Sequence, residues 1–163
     1  MAGRILVRHA RTLQARDFRN DNFIILGATR VNPWYSMFAR KLNFALQHDT
    51  ANQRSPIVNR NPQPGELSAY PDGSDAAPFG SEFAHVALVP NLGGNGKVLL
   101  VAGSTMAAKE GAGGFITDSG AARQLADALQ VPSLDEVPHF EAVLRVRSVQ
   151  STPGEWRIVA VRK

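Results

Sequence analysis

Two short apolar runs, each ending in a glycine and passing within a few residues to a helix cap, constrain this chain most. Phe23-Ile24-Ile25-Leu26 is closed by Gly27 and followed by Asn32-Pro33. Val98 to Ala102 is closed by Gly103 and followed by Ser104 and Thr105. A continuous apolar run bounded by Asn22 and a glycine fits a strand buried on both faces of a sheet. Asn32 then serves as N-cap, with Pro33 at the first helical position, where its missing N–H is not needed. The helix is expected through Tyr35, Met37, Phe38 and Leu42, with Arg40 and Lys41 at the end where the dipole favours cations. Strand, short loop and capped helix make half of a βαβ unit.

The other segments fill in the class. Arg4 to Arg8 is expected as a short strand, followed by a polar helix over Arg11 to Asn20 capped by Thr12. Residues 43–81, with five prolines, predict an irregular insertion holding two or three edge strands, and the run from Pro71 to Gly80 predicts a loop. Phe83 to Val89 and Lys97 to Ala102 flank a glycine-rich turn and are expected as antiparallel neighbours. Met106 to Ile116 predicts a helix whose alanines and glycines permit close approach to a sheet. A second helix runs from Ser119 or Gly120 to Leu129, with Leu125, Ala128 and Leu129 on one face. Val131 to Pro138 predicts a linker. The chain closes as a hairpin, Glu141 to Val149 and Trp156 to Val161, turning at Ser151 to Gly154. The expected fold is therefore α/β: a three-layer, Rossmann-like sandwich with a mixed sheet, an irregular β insertion and a C-terminal β-hairpin, all in a single domain over residues 1–163.

Composition removes several chemistries. The chain has no cysteine, which excludes disulfides, thiolate metal sites and cysteine nucleophiles. Its longest apolar run is far short of the ~20 residues that span a bilayer, and no signal segment opens it, so a cytoplasmic protein without membrane contact is expected. The net charge of +4 is uneven: residues 1–60 carry +7, residues 61–140 carry −6 and residues 141–163 carry +3. Nine of the ten basic residues in the first block are arginine, the side chain suited to bidentate phosphate contacts. Without aromatics interleaved among them they do not predict a nucleic-acid surface; the plainer outcome is acidic and basic segments lying against each other.

The candidate ligand site is the pair of strand-to-helix junctions. Free N–H groups and the positive end of a helix dipole attract phosphate or carboxylate. If the two strands are parallel neighbours, both junctions open onto one crevice at the carboxyl end of the sheet. Thr29, Ser104 and Thr105 would supply hydroxyls, Arg30 a guanidinium fork, and Asn32 and Gly103 the turns. Neither junction has the glycine–lysine pattern of a P-loop or a dinucleotide fingerprint, and plain helix capping explains the same residues. Among the four histidines, His9, His48, His85 and His139, no pair has a metal-ligand spacing, and no Gly-x-Ser-x-Gly elbow is present. For a catalytic alternative, a hydrolase or transferase on a nucleotide-like substrate, Glu110 or His85 would be the base; dipole compensation and core packing are the plainer roles. No cofactor and no metal are implied.

The strings GATRVNPW, LNF, VALVPNLGGNGKVLLVAG, MAAKEGAGGFI and FEAVLRV resemble an uncharacterised bacterial domain, a resemblance that covers about residues 18–162. In predicted regulators that domain follows a winged-helix or helix-turn-helix DNA-binding segment. The resemblance implies a regulatory or sensing domain and brings no activity with it. Asn32, Pro33, Trp34, Asn91 and Gly103 match its pattern. In the small-sided helix, where the pattern has Gly-Thr-Glu-Ala-Ala, Glu110 and Ala112 match while Ala108, Lys109 and Gly111 depart, which puts ligand contacts there in doubt. By the same resemblance the chain is expected as an excised C-terminal domain or a stand-alone version, touching DNA only through a separate domain of a longer chain. The resulting expectation is a non-catalytic domain that senses a small anionic ligand and forms a homodimer.

Overall fold

The computed structural model describes residues 5–72, 79–132, 137–150 and 152–163. Its main sheet has five strands in the order β1-β6-β5-β7-β8: β1 (Phe23–Leu26), β6 (Lys97–Gly103), β5 (Phe79–Pro90), β7 (Phe140–Val149) and β8 (Thr152–Arg162). β1 and β6 are parallel, with Ile25 opposite Leu100, and every other pair is antiparallel. A second, three-stranded antiparallel sheet is formed by β2 (Phe44–Leu46), β3 (Ile57–Asn59) and β4 (Ala69–Tyr70). The class is thus mixed α/β, with few helices and one parallel pair.

Each face of the main sheet buries its own core, as alternation along the strands requires. On one face Ile25, Leu100, Ala102, Phe83, Ala87 and Val143 pack with Phe18, the helix α1 (Trp34–Ala39) and the small sheet's Phe44, Leu46, Ile57 and Tyr70. On the other, Ala84, Val86, Val101, Ala142 and Leu144 pack under α2 (Met106–Thr117) and α3 (Ser119–Leu129). The small residues of α2 are used as its composition predicts. A Cβ on Gly111 would lie 2.6 Å from Val146 Cγ1, so this helix sits almost directly on β7. Asp118 caps α3, accepting from the Ala121 N–H at 2.7 Å, and Gln130 ends the helix in the left-handed conformation at φ 53°.

Several expectations are corrected. Residues 5–8 of the expected first strand are not in a strand, and Ile5, Leu6 and Val7 are exposed, because no sheet edge lies alongside them. The polar helix is replaced by two 3₁₀ turns, Ala10–Thr12 and Ala15–Arg19; His9, not Thr12, caps the first. β1 is an edge strand with Ile24 and Leu26 exposed, since the α2–α3 layer stops short of it. α1 ends at Ala39, before Leu42. The insertion makes its own sheet rather than edge strands, and β2 is wholly buried against the main one. The hairpin is tighter than expected, with Thr152, Pro153 and Gly154 already in β8. Residues 73–78 of the expected loop, 133–136 of the expected linker, Arg4 and Ser151 lie outside the described residues. Among the described residues no helix is long and apolar enough to cross a membrane.

Candidate functional site

The parallel pairing of β1 and β6 sets the carboxyl ends of the two strands side by side. At the first, Gly27 holds φ +90°, a conformation that strains other residues, while its N–H reaches the Val101 carbonyl at 2.8 Å. The chain then turns tightly, the Ala28 carbonyl accepting from both the Val31 and Asn32 N–H groups at 2.9 Å. At the second, a Cβ on Gly103 would stand 2.5 Å from the Lys109 backbone nitrogen, so only glycine lets β6 end against α2. The N–H and hydroxyl of Ser104 both donate to the Phe83 carbonyl, at 3.1 and 3.0 Å, which anchors the turn to β5.

Between these turns lies a cavity of about 150 Å³. Thr29, Arg30, Gly103 and Ser104, all anticipated, line it together with Ala28 and Val31. Four further lining residues were not anticipated: Lys109 on α2, Leu46 at the end of β2, and His48 and Ser55 from the segment joining β2 to β3. Asn32 and Thr105 do not line it, because both are spent on capping. The helix begins one residue later than expected, at Trp34; the Asn32 Oδ1 accepts from the Trp34 N–H at 3.2 Å and its Nδ2 donates to the Leu26 carbonyl at 3.3 Å. Thr105 Oγ1 accepts from the Ala108 N–H at 3.1 Å. His48 approaches Ser55 Oγ through Nδ1 at 3.1 Å, and the Ser55 N–H is held by Asp72 at 2.9 Å.

Electrostatically the lining is one-sided. It carries a guanidinium, an ammonium and an imidazole beside three hydroxyls, and no carboxylate. α2, twelve residues long, starts at the cavity wall and adds the positive end of its dipole. Ser104 is not paired with a base, its hydroxyl hydrogen going to a backbone carbonyl, whereas the Ser55 hydroxyl lies 3.1 Å from His48 Nδ1, a hydroxyl–imidazole pair that no carboxylate of the lining orients. Glu110 is exposed on α2 and does not line the cavity. His85 does not line it either; it is fully buried in the core, and burial pushes its imidazole down to about 3. Neither proposed base therefore reaches the crevice. Among the described residues no group of three His, Asp or Glu side chains could hold a metal ion.

The uneven charge is resolved elsewhere on the surface. Arg162 near the C-terminus grips Glu66 of the acidic middle with two hydrogen bonds, 2.7 and 2.5 Å, and lies 5.0 Å over the Phe44 ring. That bidentate pair draws the Glu66 carboxyl down to about 2. Arg60 donates to the Arg40 and Leu42 carbonyls at 2.5 and 2.6 Å, covering the end of α1. No protein family, curated protein or solved structure matches this chain.

Proposed function

We propose that this chain is a non-catalytic ligand-sensing domain whose ligand is a small anionic molecule, phosphate- or nucleotide-like, held in the cavity between the β1 and β6 junctions. One observation carries the reading: Arg30, His48 and Lys109 converge from three separate segments on a cavity whose lining has no carboxylate. Bringing the two cations Arg30 and Lys109 to one cavity is unfavourable without an anion to share, and guanidinium, ammonium and hydroxyls are the groups that phosphates recruit.

Within this reading the fold is a three-layer, Rossmann-like sandwich in its use of the parallel β1–β6 pair, with the ligand outside the carboxyl ends of the strands. The support is the separate core on each face of the sheet. The regulatory role, with DNA contacted only through a separate domain, follows the sequence resemblance, and a cytoplasmic location rests on the sequence expectation.

The test is a thermal-shift panel of inorganic phosphate, pyrophosphate, nucleoside mono- and triphosphates, sugar phosphates and simple carboxylates. A ligand at 100 times its Kd stabilises by ~2.7 kcal/mol, a readily measured rise in Tm. Stabilisation by at least one phosphorylated compound, lost in Arg30→Ala and Lys109→Ala, is the expected result. A flat panel overturns the proposal, as does a shift that both variants retain.

A further inference from the structure

We propose that the outer edge of β1 docks a second copy of this chain, strand to strand, extending the main sheet across a two-fold axis. In the parallel ladder the Gly27 N–H meets the Val101 carbonyl, so the backbone groups of Phe23, Ile25 and Gly27 face β6 and those of Ile24 and Leu26 face outward. The Leu26 carbonyl has only the Asn32 side chain, at 3.3 Å.

The two edges of the sheet are treated differently. β8 carries Pro153, Glu155 and Arg157 and is bulged twice against β7, the features by which natural sheets keep strangers off an edge. β1 has no charge, proline or bulge, and Ile24 and Leu26 stand 60% and 65% exposed. Both share a face with Leu99 and Val101 of β6.

A second copy fits this edge because the edge is complementary to itself. Paired antiparallel about Ile25, Ile24 of one chain lies opposite Leu26 of the other on the same face, and the outward backbone groups bond in pairs. A joint limited to a four-residue strand and its apolar side chains falls well short of the about 800 Å² per partner of stable complexes. The joint is accordingly weak and concentration-dependent.

Sedimentation equilibrium from about 1 to 100 µM tests it. The expected result is a mass rising toward two chains, with Ile24→Lys remaining one chain at unchanged circular dichroism and Tm. Should Ile24→Lys fail to fold, Ile24→Thr keeps the β-branched shape and is expected to weaken association several-fold. A single chain throughout overturns the proposal. So does a dimer that both substitutions leave intact, or one abolished only by removing residues 1–8, which would assign the contact to the exposed Ile5-Leu6-Val7 arm.

Discussion

The Tyr35 hydroxyl lies 2.9 Å from His85 Nδ1 in the buried core between α1 and the main sheet. The same oxygen accepts the Leu46 N–H at 3.0 Å, so the hydroxyl hydrogen is free to go to Nδ1 and the neutral imidazole carries its proton on Nε2. Nε2 has no hydrogen-bond partner and stands 4.0 Å from Glu141 Oε2. Glu141 in turn accepts from the Asn43 and Phe44 N–H groups at 2.8 and 2.6 Å. Two polar side chains anchored outside the small sheet, one on α1 and one on β7, thus hold the backbone of β2. That is what carries the β2–β3 segment, with His48 and Ser55, over the cavity.

Tyr35→Phe keeps the ring and deletes the hydroxyl, leaving both the Leu46 N–H and His85 Nδ1 unpaired. A loss of about 1–3 kcal/mol is expected, the range for stranding buried polar groups. Urea denaturation of the variant and the parent measures it directly.

Acid destabilises this protein through two groups with opposite charge chemistry. His85 is held to about 3 by desolvation, below the 6.5 of an exposed histidine. Between those values the unfolded chain binds one proton more, so stability present above pH 6.5 falls by ~1.4 kcal/mol per pH unit as pH drops toward 3. Glu66, drawn to about 2 by Arg162, stabilises above its ordinary 4.5 and loses that contribution as pH falls from 4.5 to 2. Burial raises Glu141, which acts in the opposite direction and offsets part of the His85 slope. Urea midpoints should decline from pH 6.5 downward, and Glu66→Gln should flatten only the portion below about pH 4.5.

The glycines of α2 are predicted to split into two classes. A Cβ on Gly113 or Gly114 meets nothing within 4 Å, so Gly113→Ala and Gly114→Ala should each stabilise by about 0.5–1 kcal/mol through helix propensity. At Gly111 the new methyl collides with Val146, and at Gly103 with the backbone of Ala108 and Lys109. Gly111→Ala and Gly103→Ala should cost about 1–3 kcal/mol each, as overpacking does. Thermal unfolding of the four variants decides; a stabilising Gly111→Ala would contradict the close packing of α2 on β7.

Arg30 is exposed and Lys109 only partly buried, so replacing either by Ala should change stability by less than about 0.5 kcal/mol. Anion affinity should fall at least several-fold in the same proteins, because a hydrogen bond to a charged group contributes about 1.5–3 kcal/mol. Titration calorimetry beside denaturant melts separates the two effects. Equal losses of stability and affinity would mean that these side chains support the fold rather than the ligand.

Local signals were sufficient where the chain makes contact with itself nearby. The hydrogen-bonding needs of a helix start mark α2 through Thr105, and the apolar face of Leu125, Ala128 and Leu129 marks α3, whose cap on Asp118 only the structure shows. The turn chemistry of residues 90–96 marks the antiparallel β5–β6 pair, and it is realised through Asn91, whose N–H bonds the Gly96 carbonyl. The same reasoning overreached at residues 5–8, where an apolar run has strand propensity but no neighbour, since a strand exists only by pairing. It also read β1 as buried on both sides, because an apolar run gives no sign of how far the layer above it extends.

By itself, then, the sequence determined the two strand-to-helix junctions, the small-sided helix and the C-terminal hairpin, all features whose causes lie within a dozen residues. The tertiary structure alone decided that the junctions are adjacent, that β1 is an edge, and that His48, Ser55 and Lys109 join Arg30 at one cavity. These depend on long-range contacts: the Gly27 N–H on the Val101 carbonyl, and Glu141 on the Asn43 and Phe44 N–H groups. Pairings across so much chain leave no periodicity in the sequence, because they come from burying two faces of one sheet together rather than from any local preference of the residues involved.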